Sequence, residues 1–191
     1  MVAIADPLQL TADQLARAFP GAKPAAIRRY WPTVRDALRA ADLTTPPLVA
    51  YALATIAAET AGFMPLREGL SRYNTAKNPF DLYEHRGDLG NTQPGDGPRF
   101  AGRGFIQLTG RSNYQTYGTR LGIDLINDPD LANQPDIAAR LLALFITDRK
   151  ASILEALQKG RLATARKWVN GGHHGLDRFS YTYNTVRRLL A

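Results

Sequence analysis

Residues 62–104 are rich in glycine, proline, asparagine and aspartate, and they carry few apolar residues at regular spacing. A segment of this length without regular structure, inside a small domain, is usually either functional or disordered. Tyr73, Phe80, Tyr83 and Phe100 argue against disorder, because aromatic side chains of this number can pack. The sequence therefore predicts an ordered, irregular segment with a functional role.

Helical signals precede this segment. Residues 11–14, Thr-Ala-Asp-Gln, are typical of a capping box that opens a short helix. Apolar residues at helical spacing predict a second helix over 33–41. Thr45 is a suitable N-cap for a third helix, since Pro46 fits the first helical position. We expect that helix to extend to about Thr60.

Helical patterns return in the second half of the chain and predict helices over 135–150, 152–159 and 162–169, followed by a last helix capped by Asp177. The only strand-like piece is Phe105–Thr109, which is equally suited to be the entrance to a helix near Asn113–Thr119. The fold is therefore predicted to be mainly α.

The composition favours one globular domain with an anionic partner. The chain has 191 residues, 45% of them hydrophobic, and a formal net charge of +7. Its basic residues are spread out rather than gathered in one run, which favours an anionic bacterial envelope over nucleic acid. The absence of cysteine excludes a disulfide scaffold and a thiolate metal site.

No cofactor or metal is expected, because the adjacent His173 and His174 lack the spacing of a metal-binding pair. Residues 1–7 lack the features of a secretory signal, and no run approaches the roughly 20 apolar residues that span a bilayer. We therefore expect no stable membrane insertion, and a monomer.

Two carboxylates at the start of the irregular segment suggest acid–base chemistry. Glu59 continues an apolar stripe of the predicted third helix, so we expect it to face the core or a cleft wall, where burial raises a carboxyl pKa. Glu68 lies in the irregular segment, where it would stay solvated and ionised. Such a pair can supply a general acid and a general base, although each residue alone is also explained as an exposed glutamate.

The segment Gly102–Gly110 permits tight turns or the close approach of a ligand, and it lacks the features of a phosphate loop. Gln107, Thr109 and Asn113 carry groups that can hydrogen-bond sugar hydroxyls or water. Thr109 is equally suited to be the N-cap of the helix that follows. Tyr73 can stack on a sugar ring or pack in the core.

Three segments carry a resemblance to a known family: residues 51–63 (YALATIAAETAGF), 100–114 (FAGRGFIQLTGRSNY) and 168–172 (WVNGG). They resemble, in this order, the catalytic helix, the signature segment and a later substrate-binding turn of glycoside hydrolase family 19. The match covers about 45–190, so we expect one catalytic domain over 1–191, with a core over 45–191 and an N-terminal helical segment, 1–44, outside the motifs.

The resemblance implies a two-lobed, lysozyme-like helical fold with a substrate cleft, and hydrolysis by single displacement with inversion. Carried over, Glu59 donates the proton, Glu68 activates water and Thr109 helps to hold that water. The implied carboxyl separation is about 6.5–9.5 Å. The resemblance implies sugar binding by Gln107, Asn113 and Asn170, and it implies that Arg178 lies near Glu59 and tunes its ionisation. Tyr73 is a further candidate for substrate binding, because its ring can stack on a sugar.

Two positions depart from common family patterns. Many members place a histidine immediately before the acid, where this chain has Ala58. Thr109 stands where serine is common and retains the hydroxyl group. The proton donor itself is unaffected.

The compact form of the family, with Glu84-His85-Arg86 ahead of Gly95-Asp96-Gly97, resembles phage and prophage endolysins. We therefore expect cleavage of β-1,4 bonds in peptidoglycan by a protein that accumulates in the host cytoplasm before lysis. A chitinase is the nearest competing function, since both polymers contain the N-acetylglucosamine linkage. A lytic transglycosylase and a non-catalytic wall-binding module also fit the sequence.

Overall fold

The computed structural model describes residues 6–60, 62–69, 80–170 and 174–191. This part of the chain is mainly helical and contains α1 (Ala12–Ala16), α2 (Pro24–Ala40), α3 (Pro46–Thr60), α4 (Asp96–Arg99), α5 (Arg111–Leu121), α6 (Pro135–Thr147), α7 (Lys150–Gln158), α8 (Leu162–Asn170) and α9 (Leu176–Leu190). Two short strands, β1 (Leu66–Arg67) and β2 (Arg103–Gly104), are the extended elements. The predicted mainly α fold is confirmed.

The chain forms two compact units. One comprises Met1–Met64 with Leu142–Ala191, and the other comprises Pro65–Leu141. Within the described residues, no helix is both long and apolar enough to cross a bilayer.

The centre of the first unit is α3. Its residues from Leu48 to Ala58 are all buried, because small and apolar side chains surround the whole helix. The sequence predicts a single apolar stripe on this helix, whereas every face of the helix is buried. In the first unit α9 packs along α3, where the ring of Phe179 meets Tyr51 edge-on at 5.4 Å. The Tyr51 hydroxyl donates a hydrogen bond to the Ala165 carbonyl of α8 at 2.9 Å, so α3 is fixed against both later helices.

The N-terminal segment of the first unit begins as predicted. The Thr11 hydroxyl accepts a hydrogen bond from the Gln14 N–H, and the Gln14 side chain accepts one from the Thr11 N–H, which is the reciprocal capping box. The prediction for α2 is wrong at its start, because the helix begins at Pro24 rather than at residue 33. Pro32 lies inside it on the exposed face, where water can satisfy the carbonyl left without a donor.

Buried polar groups hold the second unit together where its sequence offers few apolar ones. The completely covered guanidinium of Arg103 donates to Asp130 at 2.8 Å and to the Tyr114 hydroxyl at 3.0 Å. Asn91 is also fully buried: its amide donates to the Tyr83 carbonyl and accepts from the Arg111 N–H, each at 2.8 Å. These bonds give order to the irregular segment around α4, as the aromatic residues there predict.

The strand-like expectation for Phe105–Thr109 is wrong. The strand is the preceding pair Arg103–Gly104, which lies antiparallel to β1, and Phe105–Gln107 form a turn that returns the chain to a single bridge between Arg103 and Leu108. The helix that follows starts at Arg111 with Gly110 as N-cap, so Thr109 is not its cap. Gly110 has a φ of 91°, and a Cβ there would lie 2.7 Å from the Leu89 carbonyl.

Asp177 is likewise not the cap of the last helix. Gly175, with a φ of 72°, is the N-cap of α9, and Asp177 lies in its first turn. An acidic residue in the first turn of a helix interacts favourably with the helix dipole even when it is not the N-cap. For this reason the sequence predicts a helix start two residues too late. The two helices predicted over 135–150 and 152–159 are both present, but their boundaries differ: α6 ends at Thr147 and α7 already begins at Lys150.

Candidate active site

Glu59 lies on the last turn of α3, in the first unit. Its side chain is 12% exposed, and its Oε1 lies 2.6 Å from Nη2 of Arg166, which α8 contributes. Arg166 is completely buried. The two opposite charges therefore form a pair inside the protein, at the C-terminal end of the buried helix α3.

The guanidinium of Arg166 is shared between two acceptors. Its Nε and Nη2 both donate to the carbonyl oxygen of His174, at 3.2 and 3.1 Å. Nη2 carries a second N–H group, and the same nitrogen lies 2.6 Å from Glu59 Oε1, so the guanidinium also forms a close ion pair with the carboxyl. Among the described residues, Glu59 Oε1 and Arg166 Nη1 have no hydrogen-bond partner. The carboxyl oxygen is thus held near a cation while it keeps hydrogen-bonding capacity.

Burial raises the pKa of the Glu59 carboxyl, and this effect outweighs the neighbouring positive charges of Arg166, His174 and Arg178, which lower it. The sequence predicts this direction. The sequence interpretation made Arg178 the residue that tunes Glu59; the structure adds Arg166 as the stronger partner, while Arg178 is exposed and contributes less.

A sequence signal for Arg166 existed. It stands in the apolar stripe of α8 with Leu162, Ala165 and Val169, just as Glu59 stands in the apolar helix α3. A cation and an anion placed in two apolar stripes of one domain are candidates for a buried pair, since neither can be left alone in the interior.

The start of α9 lies against the turn of α3 that precedes Glu59. A Cβ placed on Gly175 would lie 3.2 Å from the Ala58 carbonyl oxygen and 3.3 Å from the Ala58 Cβ. The left-handed backbone of Gly175 adds a second reason for glycine, because a side chain is strained there. This close approach places His174, and with it the carbonyl that Arg166 binds, beside the acid.

Glu68 lies in the second unit, directly after β1, and is half-buried. Its Oε1 accepts a hydrogen bond from the Tyr83 hydroxyl at 3.1 Å, and its Oε2 accepts one from the Gly102 N–H at 3.3 Å. Its backbone N–H donates to the Gly102 carbonyl at 2.7 Å. Both carboxylate oxygens are therefore oriented by donors, which fixes the direction of the side chain.

The signature segment braces this carboxylate. The Gln107 amide donates to the Leu66 and Gly104 carbonyls at 2.9 and 3.0 Å, so its N–H groups hold the strand pair. The Thr109 hydroxyl donates to the Gln107 carbonyl at 2.9 Å, and the Asn113 amide donates to the Thr109 carbonyl at 2.7 Å. Gln107, Thr109 and Asn113 thus form one connected chain of hydrogen bonds in the second unit.

The packing around position 102 explains why this residue is a glycine. A Cβ at this position would lie 2.8 Å from Gln107 Oε1 and 3.2 Å from Glu68 Oε2. Any side chain would therefore displace the carboxylate or the glutamine that braces the strands.

For two of the predicted sugar-binding residues, the side chains lie outside the part of the chain that the structure describes. Tyr73 lies outside the described residues, and Asn170 ends α8 with its side chain outside them. In the part of the chain that the structure describes, no group of three or more His, Cys, Asp or Glu side chains could hold a metal ion.

The chain matches the family model of glycoside hydrolase family 19, described as chitinase class I, over residues 51–154, which is more than half of its length. The chain belongs to glycoside hydrolase family 19. Both candidate carboxylates lie within the matched segment of the family. Arg166 lies beyond it.

Named relatives of family 19 include a "glycosyl hydrolase family 19 domain-containing protein" of Haemophilus influenzae, 30% identical over 105 residues, which are 55% of this chain and 50% of that protein. Chitinase 8 of rice is 46% identical over 48 residues, 25% of this chain and 18% of its own length. The chain thus spans half or less of the length of these curated relatives.

Solved family 19 structures share the fold. The crystal structure of chitinase C from Streptomyces griseus HUT6037 superposes with a TM-score of 0.64 at 20% identity, over 94% of this chain and 76% of that chain. A likeness at this identity shows the helical fold of the family. It does not show the substrate.

Proposed function

We propose that this chain hydrolyses the β-1,4 bond in the glycan strands of bacterial peptidoglycan, with inversion, and that its two compact units act as one catalytic domain. The observation that carries the proposal is the Glu59 carboxyl, which is buried, has a raised pKa and keeps a hydrogen-bonding oxygen beside Arg166. A carboxyl of this kind keeps its proton to a higher pH than an exposed glutamate does, and it can donate that proton to a glycosidic oxygen.

The roles of the remaining site residues follow from their chemistry. Glu68 is the base that takes a proton from water, because two donors orient its carboxylate. Water then attacks the anomeric carbon from the face opposite the leaving group, while the proton of Glu59 goes to the departing oxygen. The Thr109 hydroxyl helps to hold that water, and Gln107, Asn113, Asn170, Tyr73 and Arg178 contribute to sugar binding.

The choice of peptidoglycan is supported by charge. The net charge of +7 favours contact with an anionic wall, whereas chitin is uncharged and gains nothing from it. The compact motif of the second unit supports an endolysin that accumulates in the host cytoplasm and degrades the wall at lysis.

A chitinase is the second candidate, and the names of the relatives favour it. The rice proteins are called chitinase 8 and chitinase 11, and the tomato relative an acidic endochitinase. The two polymers share the linkage that the carboxylates attack, so the catalytic residues fit both.

Product analysis separates these functions. Purified murein and chitin oligomers are incubated with the protein, reducing ends are measured, and the anomer first formed is followed by proton NMR. We expect hydrated reducing ends from murein, with the α-anomer first. Efficient release from chitin with none from murein would assign a chitinase instead. An anhydro end would indicate a lytic transglycosylase, and a first-formed β-anomer would indicate retention.

The variant Glu59→Gln separates catalysis from wall binding. Turnover should fall by about 10²–10⁴-fold, the usual contribution of a general acid. Wall binding, measured by co-sedimentation with sacculi, should persist. If the variant lysed walls as fast as the wild type, the chain would act as a non-catalytic binding module.

A further inference from the structure

The first unit has an apolar depression of about 390 Å³ that the proposed chemistry does not use. Its wall is formed by Phe19 and Pro20 of the N-terminal segment, Ala57 of α3 and Tyr181 of α9. The N-terminal segment lies outside the matched family segment, residues 51–154. We call this depression the stem pocket.

The wall of the stem pocket is fixed before any ligand arrives. The ring of Phe19 meets that of Phe63 edge-on at 4.7 Å. The Thr182 hydroxyl donates to the Ala18 carbonyl at 2.8 Å, and the Tyr181 hydroxyl donates to the Arg17 carbonyl at 3.2 Å. The Tyr181 ring nevertheless remains 50% exposed, so it presents an apolar face to a ligand.

One edge of the stem pocket is charged. Asp177 and Arg178, adjacent in the first turn of α9, both line it and are both exposed. Among the described residues, neither side chain forms an ion pair or a hydrogen bond. The pocket therefore combines an apolar wall with one exposed anion and one exposed cation.

The same two residues also border the depression beside His174 and Gly175, next to the proposed acid. The positive charge of Arg178 lowers the pKa of the Glu59 carboxyl, although less than that of Arg166 does. Gly175, which borders this second depression, lies against Ala58, the residue that precedes Glu59. A substituent on a sugar bound at Glu59 can thus cross the charged edge and enter the stem pocket.

We infer that the stem pocket binds the lactyl-peptide substituent of muramic acid, an inference that rests on the proposed function. The lactyl and alanine methyl groups at the start of this substituent match the apolar wall. Its carboxylates match Arg178, and the amine of its diamino acid matches Asp177. Chitin carries neither these carboxylates nor this amine, so it would offer no charged partner to Arg178 or Asp177.

The test uses soluble murein glycan strands, either bearing peptide stems or stripped of them by an N-acetylmuramoyl-alanine amidase. The measured quantity is the ratio of kcat/KM on stem-bearing strands to kcat/KM on stripped strands. For the wild type we expect a ratio of about ten, equivalent to one good contact site. A ratio near one, with both strands hydrolysed, overturns the inference alone. Failure to hydrolyse either strand overturns the proposed function as well.

Two variants locate the effect. Tyr181→Ala removes the exposed aromatic wall, and Asp177→Asn removes the anion on an exposed turn where folding is not at risk. Each should lower the ratio several-fold, mainly through KM. Arg187→Gln, an exposed residue of the same helix that does not line the pocket, is the matched control and should keep the wild-type ratio. Wild-type ratios in both pocket variants would overturn the inference.

Discussion

Arg166 of α8 lies 2.6 Å from Glu59 of α3, and both side chains are withdrawn from solvent. The contact has opposing effects on the carboxyl. Burial favours the protonated form, which an acid catalyst needs, while the guanidinium favours the ionised form. The balance keeps the pKa of Glu59 raised but prevents it from rising further.

This balance predicts a shift in the pH profile. A general acid is active while protonated, so the rate falls as pH rises through the pKa of Glu59. Arg166→Gln removes the charge that lowers this pKa and should move the falling limb to higher pH. Arg166→Lys keeps the charge and should move it less. The measurement is kcat against pH, with the exposed Arg161→Gln as control. A limb that moves to lower pH would contradict the assignment.

The same pair predicts a stability change that depends on pH. Arg166→Met leaves a buried carboxyl without its cation and should lower the free energy of unfolding by about 3–5 kcal/mol at neutral pH. The folded-state pKa of Glu59 then lies further above its unfolded value. The variant is therefore least destabilised below the ordinary carboxyl pKa and loses stability as pH rises through the raised one. Chemical denaturation at several pH values measures this trend.

A double variant isolates the coupling between the two groups. Glu59→Gln with Arg166→Met removes both charges, so its loss of stability should be smaller than the sum of the single losses, by about 0.5–3 kcal/mol. Strict additivity would mean that the 2.6 Å contact carries no coupling energy.

The orientation of Glu68 can be tested through its partner. Tyr83→Phe removes the hydroxyl that donates to Glu68 Oε1 and should lower kcat by about tenfold, which corresponds to about 1.4 kcal/mol and to the weaker end of hydrogen bonds to charged groups. Glu68→Gln should lower kcat by about 100-fold or more. Both values come from steady-state kinetics on murein strands. A Tyr83→Phe loss as large as that of Glu68→Gln would instead assign the tyrosine to the reacting atoms.

Two glycines provide a matched pair of substitutions that test the contact between Gly175 and Ala58. Gly175 and Gly160 have nearly equal left-handed φ angles, 72° and 66°, but only Gly175 approaches Ala58. Each alanine substitution should cost about 1–2 kcal/mol of stability for the backbone alone. Gly175→Ala should cost more and should also lower kcat, because it pushes on the turn that carries Glu59. Equal stability and equal kcat in both variants would show that the approach to Ala58 has no role.

Much of the helical framework could be predicted from the sequence, because local patterns determine it. The capping box at Thr11 and the start of α3 at Pro46 both lie where their residue types place them. The start of α2 could not be predicted from such local patterns. Pro32 has the signature of a helix boundary, and only its exposed position makes it tolerable inside the helix.

The candidate site could be predicted only in part. Glu59 and Glu68 stand out because the chemistry of two carboxylates is recognisable in a sequence. The position of Arg166 in an apolar stripe is visible in the sequence, but its pairing with Glu59 is not, since the two residues are 107 positions apart and only tertiary packing joins them. The bracing by Gln107 was also missed, because a side-chain amide that binds backbone carbonyls leaves no pattern of spacing.

The burial of α3 on every face limits where this chain can change. A mutation among Leu48 to Ile56 meets a fully buried interior, so most substitutions there would be lost to misfolding before they could alter substrate choice. Laboratory evolution of specificity should therefore randomise the polar loops around Glu68 and the edge of α9, and leave the central helix untouched.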